Sequence, residues 1–161
     1  MAVVGFDFGT TNSLASVVIG TDVINFLDNQ QPIPSVVSFE GGKVEVGRKA
    51  HDKLTSAGLG IQGSTVRSPK TLLGREEQVI DGVRRDPVQM VEHVLDHVRR
   101  FVLQTKAGQG LKMDRVVATI PVNMEGHRRA LLRQAFRQAG MSVVQFVHEP
   151  LAALYGYLRM S

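Results

Sequence analysis

Asp7-Phe8-Gly9-Thr10-Thr11-Asn12 sets a carboxylate, a glycine and three hydroxyl- or amide-bearing side chains between two apolar stretches, where the chain turns back on itself. In such a turn, consecutive backbone N–H groups and the threonine hydroxyls can converge on phosphate oxygens. Gly9 permits a close backbone approach, and Asp7 can hold a hydrated Mg²⁺ that bridges those oxygens. The same residue types also make an ordinary tight turn capped by Asp7, whatever it binds. The sequence has no G-x-x-x-x-G-K-S/T and no G-x-G-x-x-G after a strand, so a nucleotide site here would be neither a P-loop nor a dinucleotide fold. Two other constellations carry less. His93 and His97 stand i, i+4 and could share a metal, but no third ligand is visible, and they read as a solvated pair beside an apolar stripe. Arg129, Arg133 and Arg137 form a stripe that could meet nucleic-acid phosphates. Without interleaved aromatic residues, a solvated face or one covered from elsewhere is expected.

The elements that position these residues follow from periodicity. Ala2 to Phe8 and Ser13 to Ile19 are rich in Val, Ile and Phe and read as a hairpin, with Val23 to Leu27 as a third strand. The next sixty or so residues are less regular. Val36 to Phe39, a Gly41-Gly42 turn and Val44 to Val46 suggest a small hairpin, followed by a short helix from about Arg48 to Ser56 and a Gly-rich loop from Gly58 to Gly63. Asp86-Pro87, an N-cap acid before a first-turn proline, opens a helix with Val88, Val91, Val94, Leu95, Val98, Phe101 and Val102 on one face, running to about Lys106. Arg115 to Ile120 is a near-continuous apolar strand, a second helix ends at Gly140, Ser142 to Val147 is a fifth main strand, and Glu149 to Arg159 begins a third helix. This order predicts an α/β fold. Its mixed five-stranded sheet has three antiparallel and then two parallel strands, with helices on its faces and a small subdomain inserted.

Composition bounds the rest. At 161 residues, 43% hydrophobic and 21% charged, the chain can bury a core and lies outside disordered or low-complexity classes. No apolar run reaches the ~18 to 20 residues of a membrane span, and the start lacks a basic leader, so an unexported chain without a membrane partner is expected. The absence of cysteine removes disulfides, thiolate metal sites and a Cys nucleophile, and fits the cytoplasm. Residues 1–42 hold Asp7, Asp22, Asp28 and Glu40 but no Lys or Arg. Of the total charge of +4, that leaves −4 there and +8 in the remainder. The basic balance is not by itself a sign of nucleic-acid binding.

Gly5 to Ser13 resembles the first phosphate motif of the DnaK-type heat-shock chaperones, a branch of the actin and sugar-kinase ATPase superfamily, and four later segments agree in order and spacing. Pro34-Ser35-Val36-Val37-Ser38-Phe39 resembles the opening of the family's upper subdomain, and Lys70-Thr71-Leu72-Leu73-Gly74-Arg75 its lysine segment. Val117-Ala118-Thr119-Ile120-Pro121 with Arg129 resembles the interlobe relay, and His148-Glu149-Pro150-Leu151-Ala152-Ala153 the E-P-x-A-A motif. The resemblance implies the first lobe of a ribonuclease H-like, actin-like ATPase. Residues 1–27 and 87–161 would form its core subdomain and 28–86 the inserted upper one. The second lobe and the substrate-binding domain lie outside this sequence, whose end at Ser161 reads as cut.

The resemblance also implies roles. Asp7 would position Mg²⁺ through water. Gly9, Thr10, Thr11 and Asn12 would contact the β- and γ-phosphates of ATP or ADP. Lys70 would reach the γ-phosphate and Glu149 would orient the metal or the attacking water, while Pro121 and Arg129 would relay nucleotide state outward. Taken alone, Lys70 after Ser68-Pro69 is a loop lysine expected in solvent, and Glu149 is an ordinary helix start. Val122 to His127 replaces the family's aromatic-then-Asn sequence after the relay proline, and Leu154-Tyr155-Gly156-Tyr157 departs from its small-residue run, marking a divergent relative. The implied parent couples ATP hydrolysis to unfolded-polypeptide clients with co-chaperones, whereas half a cleft should bind ATP weakly and turn over negligibly. Other readings are an actin-like or sugar-kinase-like ATPase fragment and a nucleic-acid module built on the arginine stripe.

Overall fold

A computed structural model of the chain describes residues 3–148 and 151–160. The first apolar stretches form β1 (Val4–Phe8), β2 (Asn12–Ile19) and β3 (Asp22–Phe26), an antiparallel meander. After a long excursion the chain returns through α2 (Pro87–Gln104) to β11 (Arg115–Ile120), which pairs parallel with β1. It then passes through α3 (Gly126–Gln138) to β12 (Ser142–His148), parallel to β11, and continues as α4 (Leu151–Met160). The sheet order is β12-β11-β1-β2-β3, which gives the predicted mixed sheet of three antiparallel and two parallel strands an arrangement that the alternation of strands and helices leaves open.

The predicted count of five strands is one short, because β4 (Ile33–Pro34) joins the same sheet on β2. β3 pairs with β2 only from Ala15 onward, which leaves the edge of Asn12 and Ser13 open, and Pro34 and Ile33 fill it. A tight turn with left-handed Asn29 and Gln30, closed by the Asp28–Gln31 bridge, swings the chain back to that edge. A two-residue strand containing proline has no periodicity to detect.

Strand residues of β1 and β11 are buried on both faces, and the helices explain why. Phe6 and Phe8 face α2 and α3, where Phe6 meets Phe136 edge-on with centroids 5.2 Å apart. The opposite face carries Val117 against Leu154 and Leu158 of α4. A Cβ at Gly5 would sit 2.7 Å from Leu158 Cδ1, so glycine there sets how closely α4 lies on the sheet. α2 starts as predicted, with the Asp86 carboxylate accepting a hydrogen bond from the Val88 N–H at 2.9 Å and Pro87 in the first turn. Its whole predicted stripe is buried except Phe101, which is half-buried.

Between β3 and α2 the chain builds a second antiparallel sheet from short strands: β5 (Val36–Ser38), β6 (Glu45–Val46), β7 (Gly60–Gln62) and β8 (Thr65–Arg67), in the order β6-β5-β8-β7. The expected β5–β6 hairpin forms, with Gly41 and Gly42 at positive φ in its link. The helix α1 (Arg48–His51) stops well before the predicted Ser56, because the Gln62 side-chain carbonyl accepts from the N–H groups of Thr55 and Ser56 and holds that stretch out of a helix. The expected loop at Gly58 to Gly63 is instead the β7 arm of a hairpin whose turn contains Gly63 at positive φ. A further hairpin, β9 (Gln78–Ile80) and β10 (Val83–Arg85), is absent from the sequence reading. Its signal was present: Asp81-Gly82, both left-handed, is a strong two-residue hairpin turn. Val37, Phe39, Val66, Leu72 and Ile80 of this region share one hydrophobic cluster with Phe6, Val91, Val94 and Phe136, so the two parts pack as a single core.

Candidate functional site

The β1–β2 turn is built by its backbone. The Gly9 N–H donates to the Asn12 carbonyl at 2.9 Å, and a Cβ on Gly9 would lie 2.8 Å from that same oxygen. Glycine is therefore required by the closeness of the turn. Thr10, Thr11 and Asn12 are exposed at its tip.

Asp7 lies at the carboxyl end of β1, out of step with Phe6 and Phe8 and so on the sheet face opposite α2 and α3. Its Oδ1 accepts a 2.7 Å hydrogen bond from the hydroxyl of Thr119, a buried residue on the neighbouring strand β11. The carboxylate is thereby fixed at the root of the turn by one oxygen. In sequence, Thr119 is one residue of an apolar strand with nothing local to mark it. Only the parallel pairing of β1 with β11 brings it to Asp7.

Lys70 departs from the solvated loop lysine that its local sequence suggests. It lies in a 3-10 turn, Pro69–Leu72, is only 4% exposed, and donates from Nζ to the carbonyl of Phe8 at 2.8 Å, with the ammonium 5.7 Å from the Phe8 ring centroid. A residue sixty-two positions away thus delivers a cation to the backbone between Asp7 and Gly9. The lysine segment is also held from α3, where Arg128 donates from Nη2 to the Lys70 carbonyl at 3.3 Å. Arg128, which the sequence reading did not single out, makes this contact. Arg129, the position matching the relay pattern, is exposed on the same helix. Pro121 immediately follows β11, two residues beyond Thr119, and its carbonyl accepts from the Met124 N–H at 3.2 Å before α3 begins; the next residue, Val122, is 75% exposed. Glu149 and Pro150 lie outside the described residues.

The remaining candidates are drawn into packing. His93 and His97 are half-buried, unlike the solvated pair expected. His93 stands edge-on to Phe39 at 5.8 Å, and the Nε2 of His97 lies 3.1 Å from where a Gly47 Cβ would be. Burial lowers both imidazole pKa values. The reason is tertiary: the region between β3 and α2 covers that side of α2. Among the described residues, no group of three or more His, Asp or Glu side chains could hold a metal ion. In the arginine stripe, Arg133 donates to the Val143 carbonyl at 2.7 Å and covers the Phe146 ring, so part of the stripe ties α3 to β12.

The donor set fits phosphate and a divalent cation: exposed hydroxyl and amide groups at a glycine-narrowed turn, a buried ammonium behind it, and a pinned carboxylate at its base. Compared with known families, residues 3–92 match the model of the Hsp70 protein family. The chain belongs to the Hsp70 family. It is 29% identical over 158 residues to the chaperone protein DnaK of Mycoplasmopsis agalactiae and 30% identical over 162 residues to that of Mycoplasmoides gallisepticum, each alignment covering 96% of this chain. It covers 25% and 26% of those two proteins, about a quarter of their length. Within the Hsp70 family it corresponds to an N-terminal, nucleotide-binding portion of a heat-shock chaperone, and its mixed sheet is that of an actin-like ATPase lobe. The Hsp70 family as a whole binds ATP and ADP with Mg²⁺ and acts on polypeptides. Among the described residues, no helix is long and apolar enough to cross a membrane.

Proposed function

We propose that this chain supplies the phosphate- and magnesium-contacting half of an ATP site. In the parent protein, a second lobe would complete that site and a further domain would bind unfolded polypeptide. The observation that carries the reading is the Lys70 ammonium on the Phe8 carbonyl, which joins two distant segments of the family pattern at one turn. Thr10, Thr11 and Asn12 would hold the β- and γ-phosphates, and Lys70 would stabilise the charge that grows on the γ-phosphate during transfer. Asp7, pinned through Oδ1 by Thr119, would orient the waters around Mg²⁺. When bound, Mg²⁺ neutralises phosphate charge. Glu149 would direct the metal or the attacking water, and Pro121 with Arg129 would carry nucleotide state toward the second lobe. Residues 1–27 and 87–161 would act as the core subdomain and 28–86 as the upper one, in a cytoplasmic parent served by co-chaperones.

The chain alone should bind ATP at millimolar strength or below detection, with negligible turnover. Calorimetry and phosphate-release assays check this, and tight binding with steady hydrolysis would contradict it. In the full gene product, Lys70→Ala should reduce the hydrolysis rate far more than nucleotide affinity, because its contact strengthens in the transition state. Equal losses in both would remove Lys70 from that role. Phosphorylation of a sugar by the full product, without ATP-dependent peptide release, would overturn the chaperone reading.

A further inference from the structure

Ser35 lies between β4 and β5, is fully buried, and uses its backbone and side-chain polar groups across two segments of the site. Its N–H donates to the Thr11 carbonyl at 2.9 Å, and its hydroxyl donates to the Gly9 carbonyl at 3.1 Å. The Ser35 and Ser13 hydroxyl oxygens are 2.8 Å apart. Ser35 has one hydroxyl proton, already given to Gly9, so the proton between the two serines belongs to Ser13. The bonds run in one direction, from Ser13 to Ser35 to the Gly9 carbonyl. On its other side, the Ser35 carbonyl accepts from the Ser68 N–H at 2.8 Å.

Ser68 is the second half of the device. It is a non-glycine residue in the left-handed region, φ 57° and ψ 66°, directly before Pro69, a conformation that persists only where its surroundings hold it. The Ser35 carbonyl holds its N–H, while its own carbonyl accepts from the N–H of Thr71 at 3.0 Å and from the Thr71 hydroxyl at 2.8 Å. The reversal at Ser68 is followed, two residues on, by Lys70 with its amine on Phe8.

We infer that Ser35 is a positioning residue of the phosphate site, joining the Gly9–Ser13 turn to the Ser68–Lys70 segment so that the lysine is held in register with the turn. This rests on the phosphate-site reading above for its functional meaning, but the junction is testable without any ligand. Its most direct reporter is the Phe8 carbonyl carbon, whose NMR resonance senses the Lys70 bond, with Lys70→Ala supplying the value for the broken bond.

In the ligand-free chain, Ser35→Ala should shift the Phe8 carbonyl resonance part-way toward the Lys70→Ala value. It should also speed amide exchange at Gly9 and Ser68 by about tenfold, with α2 amides unchanged. Ser35→Thr, which keeps the hydroxyl, should restore most of both. Ser13→Ala leaves the Ser35 donation to Gly9 intact and should disturb the turn without moving Ser68 or the Phe8 carbonyl. An unmoved Phe8 resonance and unchanged Ser68 exchange in a folded Ser35→Ala chain would overturn the inference, as would perturbation spread evenly through the core. Titrating the full gene product and its Ser35→Ala variant with Mg-ATP separates the two readings. If no amide of residues 9–12 of the full product responds to Mg-ATP while the junction behaves as expected in the ligand-free chain, the phosphate-site reading fails and the junction stands as structural only.

Discussion

The β1–β2 turn and the Lys70 segment reach the same place by opposite routes. The turn is contiguous: one hairpin carries Asp7, Gly9 and the exposed Thr10, Thr11 and Asn12, and regular pairing with β11 positions it. The lysine segment comes from a region of two- and three-residue strands, with left-handed residues at Ser68 and Asp81, and reaches the turn only because that region folds onto α2 and β2. A set of candidate binding groups can be read from sequence when the chain supplies it in one piece. A group delivered from afar is legible only through a pattern already known, or through coordinates.

The sharpest way to break this comparison is to ask whether the two regions are energetically separate. Phe6→Ala in the sheet and Phe39→Ala in the second region each remove a fully buried ring from one shared cluster, and each should cost ~3–5 kcal/mol with a single cooperative transition in urea. An early, separate transition of the Phe39 variant would show two independent cores. Next in size, Gly9→Ala forces a Cβ to 2.8 Å from the Asn12 carbonyl, whereas Gly82→Ala meets open space and suffers only from its φ of 77°. The Gly82 change should cost roughly 1 to 2 kcal/mol, and the Gly9 change should exceed it and distort the amide resonances of the turn. Asp86→Ala removes the cap that starts α2 at the border of the two regions. About 1 kcal/mol should be lost in thermal or urea unfolding.

A smaller effect is a pH dependence at the seam. His93 faces Phe39, Arg85, Glu92 and Asp96, and His97 faces Asp28 and Asp96 and lines a cavity with Glu45, Arg48 and Lys49. Desolvation is the leading cause of both lowered values, so the unfolded chain binds more protons as pH falls below the ordinary 6.5. Stability from this source is complete above about pH 6.5 and declines as pH drops toward the folded-state values. The pair His93→Gln and His97→Gln should flatten that slope in urea titrations across pH 5 to 7. The smallest expected effect is at Lys53, which bridges Glu40 and Glu45 at 2.8 and 2.6 Å near the surface. Lys53→Ala should leave the unfolding midpoint essentially unchanged.

Much of the fold was legible because its signals are local and repeated. The α2 stripe, its Asp86-Pro87 start, the buried strand Arg115–Ile120 and the β1–β2 hairpin each arise from periodicity or a cap that a short window contains. The second region is less legible: its sequence suggests a helix to Ser56 where α1 ends at His51, a loop where β7 forms, and only Asp81-Gly82 to mark the β9–β10 hairpin. Strands of two or three residues are too short for alternation to register, and the end of α1 is set by the side chain of Gln62, which no local window contains. The histidines show the same limit, since the helix pattern places them beside the stripe but cannot show what covers them.

By itself, the sequence determined the hairpin and the donor groups it carries, the main helices and the mixed character of the sheet, because hydrophobic spacing, caps and turn residues act over a few positions. Tertiary structure alone decided that Thr119 grips Asp7, that Arg128 rather than its neighbour meets the lysine segment, and that Lys70 is buried against Phe8. Those contacts join residues 58 to 112 positions apart. Hydrogen bonds of that reach exist only after burial of the common core has brought their segments together and excluded the water that would otherwise satisfy them.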